Sequence, residues 1–359
     1  MSFRLDIRNR PAGESGRVQA TGQRFVAMDG LRGLAALSVV AFHLKSFGMY
    51  PPNLANPAVD LFFMLSGFVV ADAYEKRIPG LGIWGFFKVR MARLYPTYGF
   101  SLLIIPTFTA FIWLISTMPP DAIRVYISLP FQALYLPSPP WIVPPNRPAL
   151  FINGPGWSLF WEMFINILYA VTLPRLRTWL LILVIAIAAA GLAIVAWTGG
   201  DLLGGSDWPT WWIGGIRVFF GFPLGVLLHR LPRASFATPF PVLAALAAVS
   251  TVVPPLVALL AILPLTVWLS TNCRTTSPVA AGLGELSYPL YAIHVPLFEP
   301  LSWIATRVLH IDRAWQGPFL FLCTCAVAWA VFIYWDRPVR NYLRARITRP
   351  KRLSPAFDL

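Results

Sequence analysis

An arginine and a histidine stand inside the first apolar run of the chain, at Arg32 and His43. Ionisable side chains within a hydrocarbon-facing helix cost several kcal/mol, roughly 2.5–3.5 each on insertion scales, so each is a functional candidate by default. The two are eleven residues apart. At 3.6 residues per turn they share a helix face, about 16 Å apart along the axis. Such a pair could hold the anionic end of a long substrate on the cation while the imidazole meets the reacting group. A plainer reading sends Arg32 to the headgroups by snorkelling and leaves His43 satisfied in a helix interface.

Other ionisable residues fall in apolar runs: Asp60, Asp72, Glu162, Arg217, His294 and Glu299, with Asp29 just before Arg32. Ser158 and Glu162 are four apart and share a helix face. The Glu162 carboxylate could orient or charge-balance an imidazole, as acid–base catalysis requires, or form a structural ion pair with Arg217. Asp60 opens its run, where a negative charge suits the helix dipole, so a capping role fits it. Arg90 and Arg93 make a basic pair suited to phosphate or to anionic lipid. The four His are scattered, without His-Glu-x-x-His or Cys-x-x-Cys spacing, so no metal site is expected. Cys273, Cys323 and Cys325 read as small core residues.

The elements that must position these groups follow from composition. The chain of 359 residues is 57% hydrophobic and 12% charged, with mean hydropathy +0.63. A soluble domain carries about 25% charged residues, so lipid is the expected solvent. Apolar runs near 28–47, 57–75, 97–117, 157–173, 178–198, 211–229, 237–253, 255–270, 286–307 and 316–336 predict an all-α polytopic bundle of about ten spans. The split at Val253-Pro254-Pro255 is either a hairpin or a re-entrant segment. Residues 78–96 read as an interfacial helix, and 118–156 as a long Pro-rich connection. Most Lys and Arg lie in one alternating set of loops and at both ends, leaving Arg124, Arg147, Arg307 and Arg313 on the other side. This bias predicts cytoplasmic termini in a plasma (inner) membrane protein. A basic, disordered tail is expected at 1–24, without a cleavable signal peptide, a membrane domain at 25–340, and a second basic tail at 341–359. The net charge of +14 is explained by topology, and no nucleic acid partner is expected.

Six segments in order resemble the motifs of the acyltransferase 3 family of membrane proteins. They are Met28-Asp29-Gly30-Leu31-Arg32 through His43; Asp60-Leu61-Phe62-Phe63-Met64-Leu65-Ser66-Gly67-Phe68; and Arg90-x-x-Arg93-Leu94-Tyr95-Pro96. Then come Trp157-Ser158-Leu159 through Glu162, Ser287-Tyr288-Pro289-Leu290-Tyr291 through His294 and Pro296, and Asp336-Arg337-Pro338, with Asp where the family usually has Glu. They extend from residue 28 to 338.

The resemblance implies O-acyl transfer, such as acetylation, from acyl-CoA to a hydroxyl of a saccharide or glycolipid acceptor. Acyl-CoA would be the donor substrate, and no bound cofactor is expected. His43 and Glu162 become the expected catalytic residues. Arg32, Arg90 and Arg93 become donor-binding, with Asp29, Ser158 and His294 as candidates for lining the site. Two other readings stand beside it. One is a small-molecule or proton-coupled transporter using the same buried groups. The other is an acyltransferase acting on a lipid or antibiotic at the cytoplasmic face.

Overall fold

The computed structural model describes residues 25–49, 57–173, 176–232, 238–273 and 277–348. The N-terminal tail expected at 1–24 and residues 349–359 lie outside them. Among the described residues the chain is helical, with no strand beyond an isolated bridge between Pro148 and Asp207. The helices are α1 (Val26–His43), α2 (Ala58–Tyr74), α3 (Ile78–Ile115), α4 (Ala122–Ala133), α5 (Gly156–Thr172), α6 (Thr178–Trp197) and α7 (Trp211–Arg230). Then follow α8 (Phe240–Val249), α9 (Pro255–Val257), α10 (Leu263–Ser270), α11 (Pro278–Trp303), α12 (Arg313–Val331) and α13 (Arg337–Thr348).

Every predicted run is helical, but the count of ten spans is not established. Among the described residues, 5 helices are long and apolar enough to cross a membrane: Val26–Phe47, Ile78–Ile115, Thr178–Trp197, Trp211–Arg230 and Arg313–Ile347. The others are shorter or more polar. α2 and α5 have 17 residues each. α8 has 10, a rise of about 15 Å against a hydrocarbon core of about 30 Å. The Val253-Pro254 break is a turn that brings α8 back against α10. The stretch 78–96, read as an interfacial helix, runs on into the next apolar run as one helix: only Gly82, at φ 67°, interrupts α3, which continues through Pro96 and Pro106. Outward-facing Ile182, Leu183, Ile187 and Ile194 on α6, with Leu322 on α12, form apolar surface that water would not tolerate and lipid does.

Two helix seams organise the interior. α11 packs against α1, α3 and α12, and α2 packs against α7, which in turn meets α6. Without a hydrophobic drive between helices in lipid, such seams depend on close backbone approach at small residues. On the first seam Gly33 lies against the backbone of Leu283. On the second, Gly67 faces the Phe222 carbonyl and Gly225 faces the Met64 carbonyl, leaving no room for a Cβ on either.

The second seam also holds a buried ion pair. Arg217 donates from Nε to Asp60 Oδ1 at 3.0 Å and from Nη2 to Oδ2 at 2.8 Å. Its Nη1 donates to the carbonyls of Leu203 at 2.8 Å and Gly204 at 2.9 Å, and the guanidinium stacks over Trp157. Asp60 is therefore the partner of Arg217 rather than a helix cap, and Glu162 is not. The 118–156 connection is also more ordered than a plain linker. It contains α4, and Gln132 there accepts from the backbone N–H groups of Ile152 and Asn153. Asn153 Nδ2 donates to Ser101 Oγ at 2.9 Å and to the Ala292 carbonyl at 2.8 Å, fastening the loop to α3 and α11.

Gly225→Val should force α2 and α7 apart. Overpacking of this kind costs about 1–3 kcal/mol, and the purified protein should melt several degrees lower in a detergent thermal-stability assay. An unchanged melting temperature would contradict the close seam.

Candidate active site

Glu162 is where three helices converge. Arg90 on α3 donates from Nη2 to Glu162 Oε1 at 2.7 Å, and Ser66 on α2 donates its hydroxyl to the same oxygen at 2.8 Å. Arg90 is 2% exposed. In so dry a setting each group needs the other, since either alone would be an uncompensated buried charge. The α3 spacing separates the two basic residues. Arg90 turns inward to Glu162, while Arg93, almost a full turn on, faces a small cavity with Arg32 from α1. Neither Arg32 nor Arg93 forms an ion pair with a carboxylate among the described residues, and Arg32 Nε is buried without a hydrogen-bond partner.

The cavity is about 40 Å3, and its lining adds Phe62, Ser158, Glu162, Tyr288 and Tyr291 to the two arginines. Small-molecule pockets measure about 300–1,000 Å3, so an extended substrate arm fits only when these side chains part. The two tyrosines close its far side. Tyr288 donates its hydroxyl to the Leu94 carbonyl. The Tyr291 hydroxyl is 2.6 Å from Ser158 Oγ and donates to the Pro155 carbonyl at 3.1 Å.

Behind Tyr291 stand two imidazoles in contact. His294 Nε2 is 3.3 Å from His43 Nδ1, with ring centroids 5.0 Å apart. His294 Nδ1 donates to the Tyr291 carbonyl at 2.8 Å, and His43 Nδ1 donates to the Val39 carbonyl at 2.9 Å. His294 is fully buried, whereas His43 is half-buried at the end of α1. The α1–α11 seam therefore carries cations at one end and imidazoles at the other, with Tyr291 between them.

The sequence-named residues thus divide. Arg32, Arg93, Ser158 and Glu162 share the cavity, and Arg90 reaches it through Glu162. His43 and His294 meet each other on the other side of Tyr291. Glu162 partners Arg90 and Ser66 rather than an imidazole. Asp29 packs against Gly284 on the α1–α11 seam, outside the cavity lining. The sequence reading did not single out Ser66, Tyr288 or Tyr291 as site residues. The three-residue spacing of Tyr288, Tyr291 and His294 places them on one helix face, and that was the available signal. At the closing motif the anchoring residue is Asp336, which accepts from Thr97 at 2.7 Å and faces Arg340 at 3.2 Å.

A helical membrane protein with an interior built from cations, a carboxylate and paired imidazoles is the class that fold and site define. The chain belongs to the acyltransferase 3 family, whose acyltransferase domain model matches residues 25–335. It is similar to "Protein 2 in picA locus" of Rhizobium radiobacter, 36% identical over 188 residues, covering 50% of this chain and 97% of that protein. It is also similar to "Acyltransferase MdmB" of Streptomyces mycarofaciens, 27% identical over 335 residues, covering 82% of this chain and 84% of that one. No solved structure matches. The protein is accordingly an acyltransferase.

Arg90 and Arg93 should respond differently to truncation. Arg90→Leu strands a largely buried Glu162, and breaking such a pair costs about 3–5 kcal/mol. Its thermal stability in detergent should fall sharply, while Arg93→Leu should melt close to the parent. Equal stability of the two variants would contradict the assigned pairing.

Proposed function

We propose that the protein transfers a short acyl group, such as acetyl, from acyl-CoA to a hydroxyl of a saccharide or glycolipid. The reading rests chiefly on one observation: Arg32 of α1 and Arg93 of α3, with no carboxylate ion pair among the described residues, line one cavity, and the half-buried His43 stands at the other end of the α1–α11 seam. With the N-terminus cytoplasmic, as the positive residues favour, Arg32 and Arg93 lie toward the side where acyl-CoA is found. Their guanidinium groups suit the donor's phosphates. Glu162 and Arg90 hold the helices around that anion site in place. The thioester arm passes Tyr291 to reach His43, which takes the proton of the acceptor hydroxyl as general base. The hydroxyl oxygen attacks the thioester carbon, the carbon–sulfur bond breaks, and the proton passes to the departing thiolate. The acceptor approaches from the opposite side, nearest to the end of α1. Ser158 lines the donor end of this path and Asp29 packs beside Arg32 on the α1–α11 seam, neither touching the reacting atoms.

Purified protein given acetyl-CoA and a mixture of methyl glycosides should release free CoA and form acetylated glycoside. His43→Ala should reduce both by at least about a hundredfold, the lower end of what general-base catalysis contributes, while leaving the protein monodisperse. Retention of most activity by His43→Ala would overturn the role given to that residue. Uptake of solute into vesicles without CoA release would instead favour a transporter.

A further inference from the structure

The two histidines constrain each other's protons. A carbonyl oxygen only accepts, so the contact with Val39 places a hydrogen on His43 Nδ1, and the contact with Tyr291 places one on His294 Nδ1. In neutral His294 the Nε2 atom then carries a lone pair. It lies 3.3 Å from His43 Nδ1, so it accepts a share of the same hydrogen that Val39 receives. A protonated His294 would set one N–H against another at this distance. His294, fully buried and tied to the α11 backbone, is thus an acceptor with a fixed direction. His43, with Nδ1 committed on both counts, is left with its Nε2 lone pair available on a half-buried ring.

We propose that His294 is a positioning residue for His43: it holds the imidazole in the Nδ1–H form and accepts more strongly from Nδ1 once Nε2 has taken the hydroxyl proton. This rests on the proposed role of His43 as base. The neutral donor–acceptor contact becomes a charge-assisted one in the transition state, and only interactions that strengthen there accelerate the reaction. The proton then leaves Nε2 for the thiolate sulfur, and both rings return to their starting forms. The 118–156 loop contributes indirectly. Asn153 grips the Ala292 carbonyl, between Tyr291 and His294 on α11, and so fixes the turn that aims the acceptor.

Two measurements on the full chain in detergent test this. The first does not depend on activity. The chain has four histidines, so nitrogen-15 imidazole spectra can be assigned by single substitution. At neutral pH both His43 and His294 should be protonated on Nδ1 and bare on Nε2. A proton on Nε2 of either ring would overturn the proposal whatever His43→Ala does to catalysis. The second is kinetic, with acetyl-CoA and methyl glycosides. His294→Leu should lower kcat by roughly ten- to hundredfold, the usual worth of a hydrogen bond to a charged group, with KM for acetyl-CoA unchanged. His294→Gln, whose amide oxygen can accept from Nδ1, should recover much of that loss. Wild-type kcat in His294→Leu, or a Gln variant as impaired as the Leu variant, would exclude the positioning role. Loss of activity in His43→Ala beside normal kcat in His294→Leu would leave the base assignment standing and remove this inference alone.

Discussion

Lipid offers no hydrogen bonds, so a cation or carboxylate carried into the bundle is costly unless it finds a partner inside the protein. That constraint fixes how the helices sit. Asp60 and Arg217 clamp α2 to α7, and the remaining guanidinium donors seize the carbonyls of Leu203 and Gly204. Glu162 gathers Arg90 and Ser66 and so draws α2, α3 and α5 to one point. The close glycine contacts between α2 and α7 lie on the same seam and let the two backbones approach closely.

Within this frame the charges fall into two kinds. Asp60, Arg217, Glu162 and Arg90 are mutually satisfied, and their first consequence is architectural. Arg32 and Arg93 line the cavity with no carboxylate ion pair among the described residues, which suits them to an anion that comes and goes. The structure therefore separates two adjacent members of one motif, Arg90 and Arg93, into a support and a candidate ligand. Tyr291 links the halves. Its hydroxyl is held by Ser158 and Pro155 beside the arginine cavity, and its carbonyl orients His294 on the other side. The arginine cavity measures only about 40 Å3, so entry of an extended substrate arm and side-chain movement are coupled.

Much of this was legible from residue types and spacing. The membrane class follows from hydropathy, and the helices α1, α2, α5, α6 and α7 lie close to the runs that predict them. Arg32 and His43 do lie along one seam of α1. Less legible was where the helices end. The run at 237–253 reads as a span, yet α8 covers only Phe240–Val249, and the stretch 78–96 continues into the following run as one helix, α3, interrupted at Gly82. The Pro-rich connection reads as a linker, yet Gln132 accepts from the Ile152 and Asn153 backbone, and Asn153 Nδ2 donates to α3 and α11, contacts that composition does not reveal.

The sequence by itself determined which ionisable residues enter the membrane domain, which helix face each occupies, and the family to which its ordered motifs belong. These are local properties, set by a 3.6-residue period and by the exclusion of charge from lipid. The tertiary structure alone decided who partners whom. Asp60 meets Arg217 across 157 residues, Glu162 meets Arg90 across 72, and His43 meets His294 across 251. Periodicity says where on a helix a side chain points, but not which other helix stands opposite. That choice belongs to packing, where backbone approach and the pairing of buried charge are settled together.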